Sequence, residues 1–154
     1  MIRSLLLAKL FLVWSFSSTA LANDELITLP SKHSVTATVQ RLQDGISANG
    51  WRVLGVVDQA AQAAEYGVKI PPRTTIIFAK MEAWIMFLIQ SPTVAIELGH
   101  RVLVWEDEYG VWVTRNTMKH YLRHTLGRHE LRAMPVALQL FDNEYGAVVE
   151  RSTQ

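Results

Sequence analysis

Val35, Val39, Leu42 and Ile46 recur at intervals of four, three and four residues, one stripe of a helix, and Ser34 stands where its N-cap belongs. Before that helix, residues 25–29 (ELITL) read as a strand stopped by Pro30. After it, Asn49-Gly50 closes the turn and residues 51–58 (WRVLGVVD) form a β-rich run, low in polar content after Arg52, as in a central strand. Residues 59–66 (QAAQAAEY) are alanine-rich and helical by propensity, with Gly67 as the C′ residue. Pro71-Pro72 marks a turn into a strand over residues 74–79 (TTIIFA). Further along, residues 93–98 predict a helical segment that starts just after Pro92. Residues 101–106 and 111–115 predict two strands joined through Asp107-Glu108-Tyr109-Gly110, a connection that suits a type I turn with Gly at the αL position. Residues 117–126 predict a helix capped by Gly127, and residues 129–141 a last helix with Leu131, Met134, Leu138 and Phe141 on one side. Strands joined by a short turn are antiparallel, which excludes a purely parallel doubly wound sheet. The expected architecture is therefore α+β: a two-layer sandwich with helices packed on one face of a mixed or mainly antiparallel sheet.

One segment resists this pattern. Residues 80–92 read KMEAWIMFLIQSP, and Ala83 to Ile89 are apolar without a break. As a helix the segment places Met81, Trp84, Ile85 and Leu88 on one stripe and leaves Met86, Phe87 and Ile89 elsewhere. As a strand it is also permitted, because Trp, Ile and Phe are strand formers. A membrane span is excluded: Lys80 and Glu82 on one side and Gln90 on the other leave far fewer apolar residues than the ~20 a bilayer needs. A helix apolar most of the way round needs a second cover, whether the C-terminal helix, a second subunit or an apolar ligand. Met81, Trp84, Ile85 and Leu88 are accordingly the candidate interface residues.

The first residues carry an address. Arg3 and Lys9 precede an apolar run at Leu10 to Phe16, and Ala20-Leu21-Ala22 supplies a small-x-small cleavage pattern. The expectation is a signal peptide over residues 1–22, cleaved after Ala22, and a single domain over residues 23–154 that is periplasmic or secreted, with no membrane span after cleavage. Cysteine is absent, which removes disulfides, thiol nucleophiles and cysteine-ligated metal or haem. The formal charge of +1 gives no nucleic-acid footprint.

Candidate chemistry is sparse. His120 and His124 lie at i and i+4, a spacing that lets two imidazoles meet one ion, with His129 or an acidic residue as a possible third ligand. Lys119, Arg123 and Arg128 stand around them and repel a cation, so a solvated basic helix face is the preferred reading and no metal is assigned. Glu106, Asp107 and Glu108 read mainly as turn charges. Asp58 ends a strand just before a helix and is foremost an N-cap. No nucleophile elbow, phosphate loop, HExxH or calcium loop occurs.

Ordered landmarks over residues 34–126 carry a resemblance. They are Gly50-Trp51, Val57-Asp58, Gly67-Val68, Pro71-Pro72, Ile76-Ile77-Phe78, Ser91-Pro92, Leu103-Val104-Trp105-Glu106-Asp107, Gly110, Val111-Trp112-Val113, Asn116 and Tyr121-Leu122. In this order and spacing the chain resembles the bacterial Domain of Unknown Function 302 family. The resemblance implies a two-layer α/β sandwich that tends to pair as a dimer, and a name that carries no activity. The chain departs from the family pattern at several places. Gln59 stands where the family has histidine, Glu97-Leu98-Gly99 replaces an Asp-Leu-Pro run, Arg115 a tyrosine and Met118 a proline. Ala79 to Met86 occupy the place of a Gly/Pro-rich loop.

Two functional expectations follow. The first is an exported, non-catalytic binding or accessory domain that works through the apolar surface around residues 81–89. Its partner is a second copy of itself or another exported protein, and neither cofactor nor nucleic acid is involved. The second is a small-molecule-binding protein or enzyme with a polar pocket at the strand ends, built from Asp58, Glu106, Asn116 and Tyr121.

Overall fold

The computed structural model describes residues 24–132 and 135–154. The leader expected over residues 1–22 and Met134 of the expected last helix lie outside them. The elements run β1 (Leu26–Ser31), α1 (Val35–Ala48), β2 (Arg52–Asp58), α2 (Gln59–Glu65), β3 (Arg73–Ala79), α3 (Met81–Gln90), a 3-10 turn (Pro92–Glu97), β4 (His100–Asp107), β5 (Gly110–Asn116), α4 (Met118–Tyr121), a π turn (Leu122–Leu126) and α5 (Pro135–Thr153). The five strands form one sheet in the order β1-β5-β4-β3-β2, with every neighbouring pair antiparallel. This is the α+β sandwich expected from the pattern.

Alternation along the strands decides which layer holds the core. Ile76 and Phe78 of β3, Val102 and Val104 of β4 and Val113 of β5 turn to one face and are buried. Onto them pack Val35, Leu42 and Ile46 of α1 and Tyr145, Val148 and Val149 of α5. The helical stripe read from the sequence thus faces the core, although Thr38 is more deeply buried than Val39. Ser34 caps α1 by accepting from the Ala37 N–H at 3.3 Å. Gly45 lets α1 and α5 approach, since a Cβ there would stand 3.1 Å from Val148. Arg41 of α1 donates to the Arg151 and Ser152 carbonyls at 3.0 and 3.2 Å, satisfying acceptors at the end of α5 where a cation also suits the helix dipole. On the opposite sheet face the Trp105 and Trp112 rings lie 6.2 Å apart, and their indole N–H groups donate to Thr114 and Asp107, both at 2.9 Å.

Several expected boundaries change, each for a physical reason. The first strand continues through Pro30 because β1 is an edge strand, where a missing N–H costs no ladder bond. The second strand is also an edge and not central, with Leu54 and Val56 partly exposed. Asp107 and Gly110 pair directly, so the hairpin loop is only Glu108-Tyr109, and Gly110 at φ 149° is not in the αL region. Residues 81–90 are helical, with Lys80 in extended backbone as the N-cap. The single helix expected over residues 117–126 is a short α4 that widens into a π turn, and Gly127 is its C-cap as expected, with a right-handed φ of −63° and its N–H donating to the Leu122 carbonyl at 2.9 Å. The last helix starts at Pro135, not His129, and runs on to Thr153.

Candidate functional site: an apolar cavity floored by His100

α3 explains its own excess of apolar residues by burying two sides. One stripe, Met81, Trp84 and Leu88, packs with Ala79, Val94, Leu98 and Leu131 in a satellite cluster. A second side, Ala83, Trp84, Met86, Phe87 and Gln90, borders a cavity of about 390 Å³. α4 and the π turn form another wall with Met118, Tyr121, Thr125 and Leu126, and α5 contributes Ala137, Leu138 and Phe141. Lys80 and Arg132 also border it. Lys80 lies 3.5 Å from Glu144. The size falls at the lower end of the range of small-molecule sites, about 300–1,000 Å³.

His100 is the polar centre of this apolar space. It pairs with Phe78 in the β3–β4 register, which turns it to the core face at the strand's end. Gly99 delivers it there: φ is +93°, and a Cβ would stand 2.7 Å from Ile77 Cγ2, so only glycine fits. The imidazole stacks on Phe141 with centroids 4.3 Å apart, meets Tyr121 edge-on at 4.4 Å and lies 5.6 Å from Phe78 and 6.1 Å from Trp84. Its Nδ1 is buried without a hydrogen-bond partner. Burial among these rings, helped by the neighbouring Arg101 charge, pushes its pKa down to about 3. The ring is therefore neutral at any ordinary pH, one nitrogen a donor and the other an acceptor.

Tyr121 is the second polar group of the cavity. It is 7 % exposed and its hydroxyl is buried without a hydrogen-bond partner. Burial pushes its pKa up to about 12; Asn116 and the Arg101 backbone favour the phenolate weakly, but neither reaches hydrogen-bonding geometry. Two neutral, unsatisfied polar groups inside apolar walls suit recognition. They suit proton transfer poorly, because an effective general base has a pKa near the working pH.

Of the polar pocket expected from Asp58, Glu106, Asn116 and Tyr121, the structure brings only Asn116 and Tyr121 near each other. Asp58 is exposed and caps α2, accepting from Ala61 N–H at 2.9 Å. Glu106 pairs with Val111 beside the hairpin, whereas Asn116 is five residues further along β5, about 17 Å away by strand rise. Glu106 shares its sheet face with Val102 and Val104, and Asn116 alternates to the other face from Arg115 and Val113. Only Tyr121 of the four borders the cavity. Among the expected interface residues Met81, Trp84 and Leu88 turn inward, while Ile85 is exposed beside Met86 and Ile89. His100 was absent from both sets. Extending the alternation of Val104 and Val102 back by two residues would have placed it on the core face.

The fold and cavity define an α+β sandwich that holds a small, half-open apolar pocket among its helices. The family described as Domain of unknown function DUF302 matches residues 27–146, and the chain belongs to it. The chain is also similar to the Fluoride-specific ion channel FluC 1 of Brucella suis biovar 1 (strain 1330), 36% identical over 104 residues that cover 66% of this chain and 41% of that protein. The FluC 1 of Brucella abortus biovar 1 (strain 9-941) is 36% identical over 104 residues, 66% of this chain and 38% of its own length. This chain thus spans about two fifths of the curated relatives it matches. Among solved structures it is similar to an uncharacterized conserved protein DUF302 from Bacillus stearothermophilus. The TM-score is 0.68 and the identity 14%, covering 84% of this chain and 98% of that one, a likeness of fold. Among the described residues no helix is long and apolar enough to cross a membrane.

Proposed function

We propose that this chain is an exported, non-catalytic binding or accessory domain whose cavity takes up a small, mainly apolar molecule carrying one hydrogen-bonding group. The observation that carries this reading is the cavity itself: apolar walls from three helical segments close around a neutral His100 and an unpartnered Tyr121 hydroxyl. Both polar atoms are sealed from water in the empty cavity, so a ligand hydroxyl or carboxyl reaches them only after a small side-chain shift, recovering part of the about 1–3 kcal/mol that an unsatisfied buried polar atom costs. Arg132 at the border favours an acidic group over a basic one. A stretch akin to this chain occurs within longer proteins named as fluoride-specific ion channels, which supports an accessory role over a self-standing catalyst. The exposed apolar residues Ile85 and Ile89, outside the cavity, support pairing with a second copy.

Calorimetric titration with decanoate and decanol tests the reading. Saturable binding that is weakened by Tyr121→Phe and abolished by Ala137→Trp, which fills the space, is the expected result. If neither probe binds, or Ala137→Trp binds as well as the wild type, the cavity is not a ligand site. The mass of the product recovered from the periplasm tests export: residues 1–22 should be missing.

A further inference from the structure

α4 and the π turn have an outer side as well as the side that walls the cavity, and there the chain brings a third residue to the two histidines. Glu25, just before β1, presents Oε2 at 3.4 Å from His120 Nδ1 and 2.9 Å from His124 Nε2. One potential ligand atom from each residue lies within 4.8 Å of the others. A tetrahedral ion bound at about 2.0–2.2 Å holds its ligand atoms roughly 3.3–3.6 Å apart, so small side-chain rotations bring these three to coordinating distance. We propose that Glu25, His120 and His124 form a binding site for a borderline divalent transition-metal ion such as Zn²⁺.

The objection raised by the local sequence was charge. Lys119, Arg123 and Arg128 surround the histidines, and a cation should be repelled. In the folded chain each of the three meets a carboxylate: Lys119 pairs with Asp24, Arg123 with Glu25 at 2.6 Å, and Arg128 with Glu97 at 2.7 Å. With the histidines neutral, Asp24 and Glu25 offset Lys119 and Arg123 one for one. Arg123 also takes Oε1 of Glu25, leaving Oε2 toward the imidazoles, the kind of outer contact that orients a ligating carboxylate. Two imidazoles and one carboxylate favour zinc-like ions over calcium or magnesium, which take oxygen ligands. Half-exposed His124 leaves room for water or a further ligand in a fourth position.

The site is independent of the cavity reading and fails or stands by itself. Tag-free full chain is titrated with Zn²⁺ by calorimetry and with Co²⁺ by visible absorption, where a tetrahedral site gives a d–d band. One ion per chain is expected, with binding weakened at least tenfold by His124→Ala, no less than outer-shell losses of about 10–100-fold. Glu25→Gln, nearly isosteric, should weaken it as well, and circular dichroism reports whether each variant is folded. Absence of binding to the wild type, or equal binding to a folded His124→Ala chain, overturns the proposal.

Discussion

Replacing His100 by Phe should abolish one identifiable part of the protein's acid sensitivity. The imidazole is held neutral by burial, with a folded pKa of about 3 against about 6.5 in an unfolded chain. Between those values the unfolded chain binds a proton that the folded chain refuses, so folding stability rises with pH through this window and falls as pH drops from 6.5 toward 3. From pH 7 to pH 5 the unfolded imidazole goes from about a quarter protonated to almost fully protonated while the folded one gains almost nothing, a loss of about 2 kcal/mol. Against a typical total of 5–15 kcal/mol that is readily measured. Phe keeps the contacts with Phe141 and Tyr121 but cannot titrate, and the cavity beside the ring leaves space for its slightly larger volume.

Urea titrations at pH 7 and pH 5, followed by tryptophan fluorescence and circular dichroism, measure the effect. With a slope of about 2 kcal/mol per molar urea, the wild-type midpoint should fall by about 1 M more than that of His100→Phe over this interval. Keeping above pH 5 matters because Asp24, Glu25 and Asp107 have carboxyls held below their ordinary values. Their stabilising contributions are present above the unfolded carboxylate range and are lost only in stronger acid. Equal midpoint shifts in the two proteins would refute the reasoning, as would a His100 ring that protonates near pH 6.5 in NMR spectra of the folded chain.

Two further substitutions test the supports of the cavity. Asp142→Ala leaves the Arg115 guanidinium, buried above the Tyr145 ring at 4.9 Å, without its 2.6 Å carboxylate partner. A loss of about 3 kcal/mol is expected by chemical denaturation, more than for Arg115→Leu combined with Asp142→Leu. Gly99→Ala forces a Cβ against Ile77 at a φ of +93°. It should cost about 1–3 kcal/mol by thermal denaturation and weaken decanoate binding by displacing His100.

The fold was legible where one local pattern served one purpose. The α1 stripe, the Ser34 cap and the β4–β5 hairpin each combine period, turn chemistry and burial in agreement, and they appear nearly as expected. Trp105 and Trp112, which helped to carry the family resemblance, pair across that hairpin with their rings 6.2 Å apart. The C-terminal helix was misread for a tertiary reason. Past Phe141, Asp142 pairs with Arg115, and a Cβ at Gly146 would stand 3.3 Å from the same guanidinium. The polar and small residues serve a partner on β5, and Tyr145, Val148 and Val149 continue the helix into the core beyond them.

The cavity was illegible for a different reason: none of its walls is complete within one segment. α3 offers an apolar run that suits helix or strand, β4 begins two residues before its apolar alternation of Val102 and Val104, and α4 changes to a π turn partway along. A regular α-helix repeats every 3.6 residues; the π turn accommodates an extra residue, and such turns often mark functional sites. Here it lies where one segment turns Tyr121, Thr125 and Leu126 toward the cavity while His120 and His124 reach Glu25. At 3.6 residues per turn His120 and His124 already fall about 100° from Tyr121 and Thr125, so two faces are readable in the sequence, but not what covers either of them. The folded chain makes two surfaces of them, and it does so by bringing in Glu25, His100 and Phe141 from elements remote in sequence.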